Sequence, residues 1–189
     1  PSYCLLDSDN VFRGGPNQRS SDLAHAYCPP NGTRVGNAEW RYRWSRLLQA
    51  AEEIVCFSLV SKEILQTAFP STMLPITIEP HEINYIEEIA NCPRAATNTI
   101  GVLGGIGVQK GVACIQAMGK TLPSQKFHKI VVIGNVDPNF KLPKAMLEIG
   151  SYERRDIVNL TLQHEISVWL IPSIWPETFS YTMHEALAT

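Results

Sequence analysis

From Asn98 onward, short continuous apolar runs alternate with longer amphipathic stretches. Thr99–Leu103, Lys129–Ile133, Ala145–Ile149 and Ser167–Ile171 are largely apolar, which predicts strands covered on both faces. Glycine or proline closes each run, at Gly104, Gly134, Gly150 and Pro172. Helical spacing between them predicts helices from the loop after Gly104 to about Leu122, and from Glu153 to His164 with Ile157, Leu160 and Leu162 on its apolar side. A final helix is predicted from near Phe179 to the last residues. Strand–helix alternation of this kind predicts an α/β fold, a Rossmann-like parallel sheet with helices on both faces. Ligands of such sheets bind at the carboxyl ends of the strands.

The preceding residues follow a looser pattern. Residues 38–52 predict a helix with Trp40, Trp44, Leu47, Leu48 and Ala51 on one face. Ile54–Phe57 predicts a short strand, and Ser61 is the expected N-cap of a helix ending near Phe69-Pro70. Leu74–Ile78 is another apolar run, stopped by Pro80. Residues 82–97, with Glu82, Glu87 and Glu88, predict a solvated helix followed by a linker. Residues 1–37 are polar and irregular. Two domains are expected, 1–95 and 96–189.

At 189 residues and 44% hydrophobic content the chain can build one good core or two small ones. A net charge of -2 gives no electrostatic reason to expect nucleic acid or a membrane surface as partner. No apolar run approaches the roughly 20 residues needed to span a bilayer. Cys4, Cys28, Cys56, Cys92 and Cys114 are odd in number and scattered, which argues against a disulfide framework or zinc site and for a reducing, cytoplasmic setting. In that setting the glycosylation patterns Asn31-Gly-Thr33 and Asn159-Leu-Thr161 carry no weight.

The chemistry gathers after the last strand, in Pro172-Ser-Ile-Trp-Pro-Glu177-Thr-Phe-Ser-Tyr-Thr-Met-His-Glu185. If a helix starts near Phe179, the amides of Thr178, Phe179 and Ser180 offer a seat for an anion such as a diphosphate. Glu177 and Glu185 are eight positions apart, so at about 100° per residue they project within roughly 80° of each other. Taken alone, Glu177 is equally well read as an acid favoured by the helix dipole. Lys110-Gly111, at the mouth of the first strand–helix loop, reads either as a phosphate contact or as a solvated helix-start lysine. Gly105-Ile-Gly107 after a strand has dinucleotide-site letters, but Gly134-Asn135 stands where a nicotinamide dinucleotide site would carry an acid, and Asp137 comes later. Gly119-Lys120-Thr121 ends like a P-loop, yet the loop's first glycine would fall on Cys114 and the run lies at a helix end. His81 reads either as a hydrogen-bonded loop residue or as a catalyst, and Asp7-Ser-Asp9 lies in the irregular start.

Pro-Glu177-Thr-Phe-Ser-Tyr-Thr followed by Glu185-Ala-Leu resembles the Glu-x7-Glu motif of retaining glycosyltransferases of the two-Rossmann-domain type (GT-B), in particular family 4 and its polysaccharide-building members. Residues 98–189 resemble the donor domain of that family, and 38–81 resemble the last part of its first domain. Arg13-Gly-Gly-Pro-Asn17 is similar to its first-domain glycine loop, so residues 1–95 read as a remnant of that domain and the donor domain as truncated. The resemblance implies sugar transfer from a nucleotide diphosphate-sugar donor to a glycan or lipid-linked acceptor, with retention of configuration. It implies Glu177 at the donor sugar and Glu185 on the ribose. It also implies Gly105, Gly107, Lys110, Thr178, Phe179 and Ser180 around the donor, no cofactor beyond the substrate, and no catalytic metal. Peripheral membrane contact is compatible with it. The family carries an arginine a few residues before its lysine, whereas this chain has Gly104-Gly105 there. A non-catalytic nucleotide-binding or assembly module, and a sugar epimerase of the same architecture, are the alternatives.

Overall fold

A computed structural model describes residues 37–70, 73–84, 97–122, 126–175 and 177–189, without the side chains of positions 37, 38 and 40. Asp7, Asp9, Arg13–Asn17, Cys4, Cys28, Cys92, Asn31, Glu87 and Glu88 lie outside the described residues. The protein is α/β and divides into two compact units, Pro1–His81 with Pro176–Phe179, and Glu82–Trp175 with Ser180–Thr189.

In the first unit, helix α1 (Asn37–Gln49) precedes strand β1 (Ile54–Cys56), helix α2 (Leu59–Ala68) and strand β2 (Ile76–Ile78). β1 and β2 pair in parallel, Ile54 opposite Ile76 and Cys56 opposite Ile78. Trp44 and Leu48 of α1 pack with Leu65 and Leu74 around Phe69. The apolar side of α1 is narrower than its spacing suggests, because Leu47 is exposed. Ser58, not Ser61, caps α2: its Oγ accepts from the Ser61 amide at 3.1 Å. Either serine satisfies the sequence rule, and the chain's extended φ/ψ at Ser58 decides between them.

The second unit is a four-stranded parallel sheet in the order β5-β4-β3-β6. Its strands are β3 (Thr99–Leu103), β4 (Lys129–Ile133), β5 (Met146–Gly150) and β6 (Ile166–Trp169). Helix α3 (Val112–Thr121) links β3 to β4. Helix α4 (Ile157–Gln163), entered through a 3₁₀ turn at Arg154–Asp156, links β5 to β6, and helix α5 (Tyr181–Ala188) follows β6. Central β4 shows why its sequence is apolar from Ile130 to Ile133. Ile130 and Val132 face one core with Val112 and Ile115 of α3, whereas Val131 and Ile133 face the other with Ile157 of α4. Leu162, expected on the apolar side of α4, is exposed.

Two glycines are demanded by packing here. A Cβ at Gly101 would lie 2.6 Å from the Trp169 ring, so β3 goes bare where Trp169 crosses it. Gly119, in the last turn of α3, would put a Cβ 2.8 Å from the Met146 sulfur. That close helix–strand approach accounts for the glycine of Gly119-Lys120-Thr121 without any phosphate. Among the described residues, no helix is long and apolar enough to cross a membrane.

Candidate functional site

The strand order places a topological switch point beside β3. The chain leaves β3 through α3, on one face of the sheet, to reach β4. It reaches β6, on the other side of β3, through α4 on the opposite face. Connections that diverge to opposite faces leave a crevice at the carboxyl ends of the two neighbouring strands, here β3 and β6.

Four kinds of contact build the rim of that crevice. The loops leaving β3 and β4 stay hydrogen-bonded past the strands: Ile106 N donates to Asn135 O at 2.8 Å and Asp137 N to Ile106 O at 2.9 Å. The turn 107–111 closes through Gly111 N to Val108 O at 3.0 Å and Val112 N to Gly107 O at 3.1 Å, and it carries half-buried Lys110 into the start of α3. The loop after β6 docks on that turn, with Ile174 N and Ser173 Oγ both donating to Gln109 O, at 3.1 and 3.4 Å. Finally, a Cβ at Gly104 would touch Thr182 Cγ2 at 3.0 Å, which sets the first turn of α5 against the end of β3.

Glycine is required at three of these rim positions. Gly111 caps α3 at φ +71°, and a Cβ there would sit 2.0 Å from the Pro172 carbonyl oxygen. Gly134, at φ +137°, would put a Cβ 2.0 Å from the Gly104 carbonyl oxygen, and Gly104 itself has φ +101°. Neither approach leaves room for a side chain. Gly105 differs: nothing lies within 4 Å of its Cβ position. Of Gly104 and Gly105, only Gly105 could carry a side chain. At Gly107 a Cβ would meet only the end of the Gln109 side chain, at 3.3 Å.

The helix start differs from the sequence expectation. α5 begins at Tyr181, with Ser180 as N-cap accepting from Met183 N at 3.4 Å. The first-turn amides therefore belong to Tyr181, Thr182 and Met183, the last of them already engaged. Thr178 and Phe179 precede the helix, and Ser180 contributes a capping hydroxyl. Glu177 also lies outside the helix, so the helical angle between it and Glu185 does not apply. Thr178-Phe179-Ser180-Tyr181 has no local feature against earlier helix; the extended backbone at Ser180 sets the boundary.

Glu177, Thr178 and Phe179 group with the first unit, whereas Lys110, Ser180 and Glu185 belong to the second. Within the first unit the ring of His81 lies 3.7 Å from that of Phe57 and 4.9 Å, edge-on, from that of Phe179. Ser61 Oγ donates to Thr178 O at 3.4 Å. His81 is thus an aromatic neighbour of the Glu177-Thr178-Phe179 segment. Cys56 nearby is buried, and burial pushes its thiol pKa up against the opposing pull of Lys62, so it does not form an activated nucleophile.

Glu185 is buried at 4% exposure, and its Oε1 accepts from Arg154 Nε at 3.2 Å. A carboxylate taken out of water needs such a partner. Sequence reasoning missed Arg154 because 31 positions separate the two residues and no local pattern joins them. Asp137 accepts from the amide and side chain of Asn139, both at 2.9 Å, which makes it a turn-forming residue. Asn135 Nδ2 donates to Ser151 Oγ at 3.0 Å.

A separate groove of about 350 Å³ runs along the outer edge of β6. Val168, Trp169, Ile171, Met183 and Leu187 are among its lining residues, and neither Lys110 nor Glu185 is. No protein-family model matches the sequence, and no curated protein matches it significantly.

Proposed function

We propose that the protein is a retaining glycosyltransferase of the two-Rossmann-domain type, with residues 96–189 as its nucleotide diphosphate-sugar-binding domain. It moves a sugar from that donor to a glycan or lipid-linked acceptor. The observation that carries the reading is the switch point between β3 and β6, rimmed by the Lys110 turn, by glycines that bare the backbone, and by the first turn of α5. Such a rim suits an anionic, nucleotide-like ligand.

Lys110 and the first-turn amides of α5 neutralise the diphosphate as it leaves, which is catalysis by preorganised electrostatics. Glu185 accepts from ribose hydroxyls. The role of Glu177 at the donor sugar comes from the motif resemblance alone.

Calorimetry with UDP, GDP and dTDP tests the reading. One of them is expected to bind, and Glu185→Ala to weaken it by about tenfold or more, the effect of losing a charge-assisted hydrogen bond. Equal affinity of the two proteins counts against the ribose role, and no binding by the unaltered protein removes the reading. Donor turnover then separates the remaining classes: transfer or hydrolysis marks a transferase, isomerisation without acceptor an epimerase, and binding without turnover an assembly module.

A further inference from the structure

We infer that Arg154 is a positioning residue for nucleotide recognition, acting through Glu185; the inference rests on the nucleotide-binding reading above. Arg154 opens the 3₁₀ turn that leads from the carboxyl end of β5 into α4. Glu185 belongs to α5. Each helix contributes residues to the same core, Ile157 and Val158 from α4 and Ala188 from α5. The Arg154–Glu185 ion pair ties the entrance of one helix to the middle of the other.

The two partners are unequal. The side chain of Glu185 is 6% exposed, whereas that of Arg154 is 53% exposed. The buried carboxylate depends on this partner, because a charge taken out of water needs one, whereas the guanidinium keeps contact with solvent. Here the half-exposed cation donates to a buried anion and so sets the direction of its carboxylate. A carboxylate that reads ribose hydroxyls must keep a fixed direction, since hydrogen bonds weaken steeply with misalignment. A guanidinium whose Nε donates to Oε1 at 3.2 Å supplies that constraint.

The test compares hydroxylated and 2′,3′-dideoxy nucleoside diphosphates (UDP, GDP and dTDP against ddUDP, ddGDP and ddTDP) by calorimetry. Proteins compared are the unaltered chain, Arg154→Met, Glu185→Gln and the double variant. The unaltered protein is expected to prefer the hydroxylated form by about tenfold or more. Arg154→Met keeps an unbranched stem without the charge and is expected to reduce that preference to about threefold or less; Glu185→Gln should do the same, and the double variant no more. A helix tie without a recognition role would lower the thermal midpoint and leave the hydroxyl preference intact; that result overturns the inference.

If Arg154→Met does not fold, Arg154→Lys, which lacks the Nε donor, takes its place. An unchanged hydroxyl preference in that variant also overturns the inference. If the unaltered protein binds a diphosphate but ignores the ribose hydroxyls, the Arg154 inference falls and the diphosphate site stands. If it binds none of the six, both fall.

Discussion

The site's backbone is governed by single atoms at its glycines. Gly134 and Gly105 are both rim glycines close to the end of β3 or β4, yet a methyl group has opposite consequences at the two. At Gly134 it would overlap the Gly104 carbonyl oxygen, at a φ of +137° that side chains rarely adopt. Gly134→Ala is expected to destabilise the protein by about 2–4 kcal/mol in urea titration, from backbone strain and overpacking. Gly105→Ala meets open space and should stay within about 0.5 kcal/mol of the unaltered protein. Equal cost at both positions would overturn this account of the rim. The distinction between Gly134 and Gly105 is invisible in the letters, which are identical. It comes from the chain segments that approach each of them.

At the level of elements, legibility follows how locally a boundary is decided. β3 and β4 have the expected bounds, Thr99–Leu103 and Lys129–Ile133, because burial on both faces makes all but their first positions free of polar side chains and a glycine ends each run. The start of α5 moved to Tyr181 and the cap of α2 to Ser58, since several polar residues there could each cap a helix. α4 has a consequence that its periodicity does not announce. His164, the residue that ends it, is partly buried, and burial lowers its pKa, with the nearby Lys129 charge acting in the same direction. A lowered imidazole pKa means that the unfolded chain takes up the proton first. This contribution to stability is complete above the ordinary imidazole value of about 6.5 and is lost as pH falls from there through the folded-state value. His164→Gln is therefore expected to flatten the fall in thermal midpoint between about pH 7 and pH 5. An unchanged slope would show that His164 titrates alike in both states.

For the whole molecule, the α/β class and its parallel sheet could be read from alternating apolar runs, but the strand order could not. Nothing in the sequence of β6 states that it lies beside β3 and not beyond β5. That placement defines the crevice, and the Arg154–Glu185 pair likewise needs the assembled sheet. Lys110 and Glu185 are candidates at the level of sequence because Lys-Gly and the Glu-x7-Glu spacing are local patterns. Their neighbours Pro172, Gln109 and Arg154 are distant in sequence from what they touch.

The ladder between β3 and β4 does not stop where the strands stop, since Ile106 and Val136 still form a bridge beyond them. The ground beneath any bound molecule is therefore stiff. In deuterium exchange the amides of Ile106 and Asp137, although in loops, should be protected on a timescale approaching that of Val131 and Val132 in the strand. Rapid labelling of both would reveal a pliable floor instead. With a stiff floor, the parts of the rim left to give are the 107–111 turn and residues 170–175 after β6.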